Sequence, residues 1–150
     1  MYTRRLVALA LPFLTLLAHG CAALGRGGSR DDDAPPGVTQ ERGAIVLTGS
    51  ALSDGAGFVL AALTGKVPNM RVRQYSGECP QITLRSHVSF EGVVNPHVYV
   101  DGTRATDTCI LETIRTSDVE RVEVYPQGFT TRPGYGTHAH GLILVFLRSG

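Results

Sequence analysis

Two histidines separated by one residue are the clearest candidates for chemistry in this sequence. His138 and His140 stand in a glycine-bounded stretch near the C-terminal end. Imidazoles at this spacing can point the same way from extended backbone and share a zinc ion, with His97 or His87 as a third ligand. A polar loop between strands explains the same residues, because functional zinc needs three or four converging ligands. We expect no metal or other cofactor, and keep metal binding by His138 and His140 as the alternative interpretation.

Three carboxylates, Asp101, Asp107 and Glu112, have the residue types of an acid–base set. Asp101 precedes Gly102, however, and an Asp-Gly pair is typical of a tight turn. Asp107 fits a loop or cap residue. The sequence has no serine in a glycine elbow, no phosphate-binding glycine-rich loop and no Cys-His nucleophile pair. We therefore expect Asp101 and Gly102 to form a structural turn, and the protein to have no catalytic residues and not to be an enzyme.

The N-terminus has the pattern of an export signal. Arg4 and Arg5 precede the apolar run LVALALPFLTLLA, which is shorter than the roughly 20 residues that cross a bilayer. The run leads into AHGCAA, in which Cys21 resembles the lipidated cysteine of a bacterial lipobox. We expect residues 1–20 to be a signal peptide and Cys21 to be lipidated. Ordinary signal-peptide cleavage near the same place is the alternative, and either one exports the protein.

Export bears on whether the other two cysteines form a disulfide. Cys79 and Cys109 are the two that remain in the body of the chain, and oxidising compartments favour pairing. A disulfide between them would contribute about 3–4 kcal/mol of stability in the chain-entropy model. The alternative is two unpaired buried thiols. We expect the disulfide, with each cysteine beside a strand of the same sheet.

The composition is that of a folding chain without an electrostatic preference for polyanions. Hydrophobic residues make up 43% and charged residues 18%, and the formal net charge is +1. No basic patch with interleaved aromatic residues is present, so we expect neither nucleic-acid binding nor a polybasic membrane patch. Residues 21–43 are rich in Gly, Asp, Pro and Arg and predict a lipidated cysteine followed by a disordered tether. The folded domain is expected over residues 44–150.

Strand-like and helix-like patterns mix along residues 44–150. A helix is expected to begin at a cap on Ser53 or Asp54 and to end at Gly65. A second, short helix is expected at ILETI. The predicted strands are AIVLTG, MRVRQY, QITLRS, HVYV, VERVEVY and LILVFL. Together they predict an α+β fold, a small mixed sheet with two helices packed on one face.

Two of these strands carry more specific expectations. In VERVEVY, residues 119–125, the valines are expected to face the helices, while the charged residues keep the other face solvated and discourage edge aggregation. The run LILVFL, residues 142–147, is apolar throughout and predicts an interior strand covered on both faces.

Five stretches stand in order over residues 44–150: VLTGSALSDGAGFVLAALTGKVPNMRVR, ITLRS, VYVDGTRATD, TSDVERVEVYPQG and YGTHAHGLILVFLRSG. Together they resemble the plug domain of TonB-dependent outer-membrane receptors. The first contains Leu63 and Gly65-Lys66-Val67-Pro68, which match a Leu…Gly-Lys/Arg-Val-Pro-Gly stretch of that domain with Asn69 in place of the last glycine. The fourth matches an Asp-Ile/Val-Glu-Arg-Ile/Val-Glu-Val strand, although Gln127 replaces the following basic residue and Phe129 the proline.

The resemblance implies a plug-like domain without the receptor's barrel, since no barrel strands follow within the 150 residues and the tether has no energy-coupling box. We expect a non-enzymatic, plug-like interaction module of the bacterial outer membrane or periplasm that is not a transporter by itself. It would bind a partner protein or ligand through its loops. Phe129, Arg132 and Tyr135 are the candidate contact residues, because aromatic and arginine side chains often anchor interfaces. The alternative is that the aromatic residues only cover the sheet edge.

Overall fold

A computed structural model describes residues 36–53, 57–85 and 94–149. The predicted signal peptide of residues 1–20, the predicted lipidation site Cys21, the alternative helix cap Asp54 and the alternative third ligand His87 lie outside these ranges. Within them no helix is long and apolar enough to cross a membrane. The elements in chain order are β1 Val38–Glu41, β2 Ala44–Thr48, α1 Ser50–Ser53, α2 Val59–Lys66, β3 Arg71–Arg73, β4 Gln81–Thr83, β5 His97–Val100, β6 Thr103–Arg104, α3 Ile110–Thr113, a 3₁₀ helix Thr116–Asp118, β7 Val119–Tyr125 and β8 Leu142–Leu147.

Six strands form one mixed sheet in the order β1-β2-β7-β8-β5-β6. The neighbours pair antiparallel except β5 and β8, which run parallel. The remaining two strands, β3 and β4, form a separate antiparallel pair. The α+β class and the interior position of β8 predicted from the sequence are confirmed. The prediction of a single sheet that includes the strands RVR and QIT is wrong, because these strands form the separate pair.

The two faces of β8 pack into two different cores. Ile143 and Val145 belong to the larger core, which the helices and the β3–β4 pair cover. Leu142 and Leu144 belong to a smaller core on the opposite face of the sheet, together with Tyr99 and the side chains of Ala44, Val46 and Tyr125. All four β8 residues are at most 1% exposed. The apolar run therefore reflects a strand buried on both faces, as its composition predicts.

A β-bulge explains the spacing of the valines in β7. Val119 and Val122 are an odd number of residues apart and would face opposite sides of a regular strand. The register against β8 shifts between Val119 and Arg121, so Glu120 is an extra, exposed residue. The bulge returns Val119 to the larger core beside Val122 and Val124, all at 0% exposure. The valines therefore face the helices, as expected.

The folded part begins earlier in the chain than residue 44. Val38–Glu41, which the composition assigned to the tether, pair antiparallel with β2 and form an edge of the six-stranded sheet. Of these residues only Val38 is buried. A strand with one buried side chain has almost no hydrophobic pattern in its sequence. The structure identifies it by its backbone pairing with β2.

The start of α2 is also different from the expected one. Ser53 ends α1, and Phe58 occupies the N-cap of α2 without a side-chain hydrogen bond. The first N–H of the helix, that of Val59, instead donates a hydrogen bond to the Ile114 carbonyl at 3.1 Å, from a residue far along the chain. Gly65 lies inside α2, which continues to Lys66.

The disulfide between Cys79 and Cys109 joins the β3–β4 pair to the rest of the domain. Its Cα atoms are 4.7 Å apart. Cys79 stands shortly before β4, and Cys109 is the N-cap residue of α3. Beside the bridge, the Thr108 hydroxyl donates to the Pro80 carbonyl at 2.6 Å. Within the described ranges, the bridge thus holds a two-stranded unit that has no ladder to the main sheet, rather than linking two strands of one sheet.

Candidate functional site

The loop over residues 126–141, here called the cover loop, connects β7 to β8 and lies against the smaller core. At its start the Gly128 N–H donates to the Tyr125 carbonyl at 3.0 Å, and the Gly128 carbonyl accepts from the His138 N–H at 2.8 Å. A Cβ on Gly128 would stand 1.7 Å from the His138 carbonyl oxygen, and its φ is +75°. Only glycine fits this approach, so the two ends of the cover loop close against each other.

A buried ion pair fixes the cover loop to the sheet. The Glu123 side chain on β7 is 1% exposed. Arg132 from the cover loop donates to both of its oxygens, from Nε to Oε2 at 2.7 Å and from Nη2 to Oε1 at 2.5 Å. The Tyr125 hydroxyl also donates to Oε2, at 2.8 Å. A bidentate guanidinium–carboxylate pair of this kind is both strong and geometrically specific.

A second arginine extends this network to the sheet edge. The Arg121 Nε lies 2.5 Å from the Glu123 Oε1, close enough for ion pairing although not aligned for a hydrogen bond. Its Nη2 donates to the Oε2 of Glu41 at 2.7 Å. The expectation that Glu123 belongs to a solvated face is wrong. The cover loop buries that face and brings with it the guanidinium that neutralises the carboxylate.

The network sets the charge states of its members. Burial by itself would raise the pKa of Glu123, but hydrogen bonds from Arg132 and Tyr125 and the charges of both arginines hold this pKa below its ordinary value. The hydrogen bonds to Glu123 raise the pKa of Arg132 in turn. Both groups are therefore ionised at neutral pH. The ion pair between Glu123 and Arg132, here called the clamp, holds the cover loop against the sheet.

The three candidate contact residues all lie on the cover loop, in different environments. Phe129 is 60% exposed. Tyr135 is half-buried and packs edge-to-face on Tyr99, with 5.1 Å between ring centroids. The Arg132 side chain is 42% exposed, and its guanidinium lies 5.0 Å from the centroid of Phe146 while it pairs with Glu123. Tyr135 and Arg132 thus hold the loop in place, and Phe129 is the most exposed of the three.

The histidines meet at the end of the cover loop. His138 stacks on His97 at the start of β5, with ring centroids 3.5 Å apart and planes inclined by 20°. His140 is tilted against His138 at 5.4 Å. The Arg104 Nη2 lies 2.7 Å from His97 Nε2, so that nitrogen accepts the guanidinium hydrogen. The sequence analysis names His97 or His87 as a third ligand for the pair, and nothing in the sequence indicates that the rings of His97 and His138 stack.

Burial lowers the pKa of His97, and electrostatic interactions with His138 and Arg104 lower it further. Burial also lowers the pKa of His138, although the nearby Gly141 backbone acts to raise it. The Nδ1 of His138 is buried without a hydrogen-bond partner. Both rings are therefore neutral at neutral pH, which suits their stacking.

The histidine arrangement does not favour a shared zinc ion. Stacked rings direct their in-plane lone pairs side by side rather than toward one point, and a guanidinium occupies His97 Nε2. Across the described ranges, the group of three ligand atoms close enough for a metal is Cys79, Asp107 and Cys109. Two of those atoms are the sulfurs of the disulfide and cannot bind a metal as thiolates.

The three acidic residues considered for acid–base chemistry make structural hydrogen bonds. Asp101 and Gly102 have φ values of +45° and +82° and form the turn between β5 and β6, and Asp101 Oδ1 accepts the Leu147 N–H at 2.9 Å. Asp107 Oδ1 accepts the Cys109 N–H at 2.9 Å. Glu112 Oε1 accepts from the Gln74 side-chain amide at 2.5 Å. None of the three points its acceptors into a shared site.

Comparison with known proteins supports the fold. No protein-family model matches the sequence, and no curated protein matches it. Among solved structures, a chain of the RagAB peptide importer in its closed-closed state matches with a TM-score of 0.55 and 19% identity. The match covers 77% of this chain and 13% of that chain. At this identity the likeness concerns the fold alone, and it supports a plug-like α+β fold for this protein.

Proposed function

We propose that this protein is a plug-like contact module of the bacterial envelope that binds a partner protein through its cover loop. The observation that carries the proposal is Phe129, a large apolar side chain with 60% of its surface exposed on a loop that is clamped at Glu123. A clamped loop loses little conformational entropy when it binds, so the gain from burying Phe129 is retained. Aromatic anchors of this kind often dominate the energy of an interface.

The module acts by contact and neither catalyses a reaction nor transports a solute by itself. The likeness to part of a peptide importer supports a place beside envelope transport proteins, because plug-like folds occur there. Asp101, Asp107 and His97 are of residue types that catalysis uses, but each accepts a hydrogen bond from another group of the domain. These hydrogen bonds support a structural role for the three side chains.

The N-terminal residues support a location of the protein at the outer membrane. Residues 1–20 act as a signal peptide, and a lipid on Cys21 attaches the protein to the outer membrane on its periplasmic side. The Cys79–Cys109 disulfide supports this assignment, since such bonds persist in oxidising compartments. In a Cys21→Ser variant the protein should move to the soluble periplasmic fraction. Equal membrane partitioning of the two forms would contradict the lipid anchor.

Photo-crosslinking in the native envelope tests the contact surface. A benzophenone amino acid replaces Phe129 in one variant and Glu120 in a control, because Glu120 is exposed at the β7 bulge, at the other end of that strand from the cover loop. We expect a discrete cross-linked partner band from position 129 that is absent from position 120. The substitution Phe129→Ala should also abolish recovery of that partner by affinity purification. Equal cross-linking from both positions, or none from 129, would overturn the proposal.

A further inference from the structure

The outer edge of β3 has backbone groups available for another strand. β3 pairs with β4 through Arg71↔Thr83, Val72↔Ile82 and Arg73↔Gln81. The Ile82 N–H does not donate to Val72 but to the Asn95 side-chain oxygen, at 2.7 Å. Since hydrogen-bonded and non-hydrogen-bonded pairs alternate in an antiparallel ladder, Val72 and Ile82 form a non-hydrogen-bonded pair. The N–H and C=O of Val72 therefore point away from β4.

Among the described residues, no backbone group pairs with this edge of β3. An apolar groove lies beside it. Its lining combines Val72 and Gln74 with residues of the α2 region and with Glu112; the α2-region residues are Phe58, Leu60, Ala61, Thr64 and Gly65. Phe58 is 44% exposed there. An unpaired edge next to an apolar groove is the arrangement that accepts an added strand in many peptide-binding domains.

The side chains of β3 define what such a strand must carry. Val72 is partly buried against the larger core, whereas Arg71 and Arg73 alternate to the other face and are exposed. Neither arginine makes an ion pair with another described residue. The acid that lines the groove together with Val72, Glu112, accepts a hydrogen bond from the Gln74 side-chain amide.

We propose that the free edge of β3 binds an extended peptide from a partner protein, antiparallel to the strand, with an apolar residue flanked on both sides by acidic residues. Residues directly opposite each other on neighbouring strands point to the same face. The peptide residue that exchanges hydrogen bonds with Val72 thus places its side chain on the groove side, where an apolar group is favoured. Its two neighbours face Arg71 and Arg73, where carboxylates are favoured.

Synthetic peptides test both the register and the charge pattern. The probe is a fluorescein-labelled, end-blocked peptide containing Thr-Glu-Ile-Glu-Thr, and its binding to the purified chain is followed by anisotropy at low ionic strength. We expect a peptide with Lys-Ile-Lys in place of Glu-Ile-Glu to bind about tenfold more weakly, and added salt to reduce the difference. The charge reversal Arg71→Glu with Arg73→Glu should invert the preference between the two peptides. The matched control Arg42→Glu, on the exposed β1–β2 turn, should leave it unchanged.

A change confined to the peptide tests the strand pairing without risk to the fold. Methylation of the isoleucine amide nitrogen removes the N–H that donates to the Val72 carbonyl, and should abolish binding. Equal binding of the methylated peptide, or a preference that survives the charge reversal, would overturn the proposal. So would self-association of the protein through this edge, shown by a dimer in sedimentation that the charge reversal disperses.

The chain's own acidic run is the remaining competitor for this edge. Residues 31–33 are three consecutive aspartates. If the probe binds only after all three are replaced by asparagine, the edge is occupied from within the chain, and the assignment to a partner is wrong. The proposal does not rest on the contact at Phe129, because the two surfaces share no residue and their experiments use different variants.

Discussion

The two faces of the six-stranded sheet are buried in different ways. The face toward the helices is covered mainly by apolar side chains, among them Ile143, Val122 and Leu63, each at 0% exposure, and no charged side chain of the described residues is buried there. The face toward the cover loop has a small apolar core and a carboxylate, Glu123, that is buried just as deeply. The difference shows that burial on this sheet tolerates a charge only where a covering segment supplies the opposite charge together with hydrogen bonds.

A charge placed on the helix-side face should have the largest effect. The substitution Ile143→Glu introduces a carboxylate where the surrounding core is apolar, and we expect a loss of about 4 kcal/mol in the free energy of unfolding. Chemical denaturation measures it, with Ile143→Leu as a volume-conserving control that should cost less than about 1.5 kcal/mol. If the glutamate variant is as stable as the leucine variant, the two faces do not differ as described.

Removal of the clamp should have the next largest effect. The substitution Arg132→Ala leaves Glu123 buried with only its weaker partners, and we expect a loss of about 2 kcal/mol. This is less than for a fully buried pair, because Arg132 is itself 42% exposed. Replacement of both residues by methionine should recover most of the loss, since an apolar pair needs no neutralisation. Should the double variant be as unstable as the sum of the single variants, packing of the loop rather than charge holds this face.

Acidification should weaken the cover-loop face and not the apolar one. The folded-state pKa values of His97 and His138 are lowered from 6.5, so the unfolded chain binds more protons below that pH and stability falls as pH falls through this region. Glu123, with a pKa lowered from 4.5, adds a second loss at lower pH, because its contribution is present above that value and disappears through its folded-state pKa. Thermal melts between pH 7.5 and pH 5.5 should show the first loss, and His138→Gln should reduce it. An unchanged slope in that variant would place the sensitivity elsewhere.

The smallest effect on stability is expected at Phe129. Its side chain is mostly exposed, so Phe129→Ala should change the free energy of unfolding by less than about 0.5 kcal/mol. The clamp residue beside it on the same loop gives the contrast, because Arg132→Ala is expected to cost several times more. A loss at Phe129 as large as at Arg132 would mean that Phe129 packs within the domain and is not available as a contact.

The sequence alone determined those features that depend on residues close together in the chain. Leu142–Leu147 is a two-sided buried strand because every one of its residues is apolar, and Asp101-Gly102 is a turn because both positions tolerate a positive φ. The order of five motifs also indicated a plug-like α+β fold. In each case the signal is local composition or spacing, which does not require knowledge of what packs against it.

Only the tertiary structure decided the features that depend on distant partners. In the sequence, Glu123 is one polar residue of an alternating strand. It is buried because the cover loop folds back over the sheet and places Arg132, nine residues further along the chain, against it. The start of α2 is set by the Ile114 carbonyl rather than by a capping side chain, and the β3–β4 pair separates from the main sheet although its strands have ordinary patterns. A strand pattern fixes which side chains share a face, but the free energy that decides which face is buried comes from the segment that covers it.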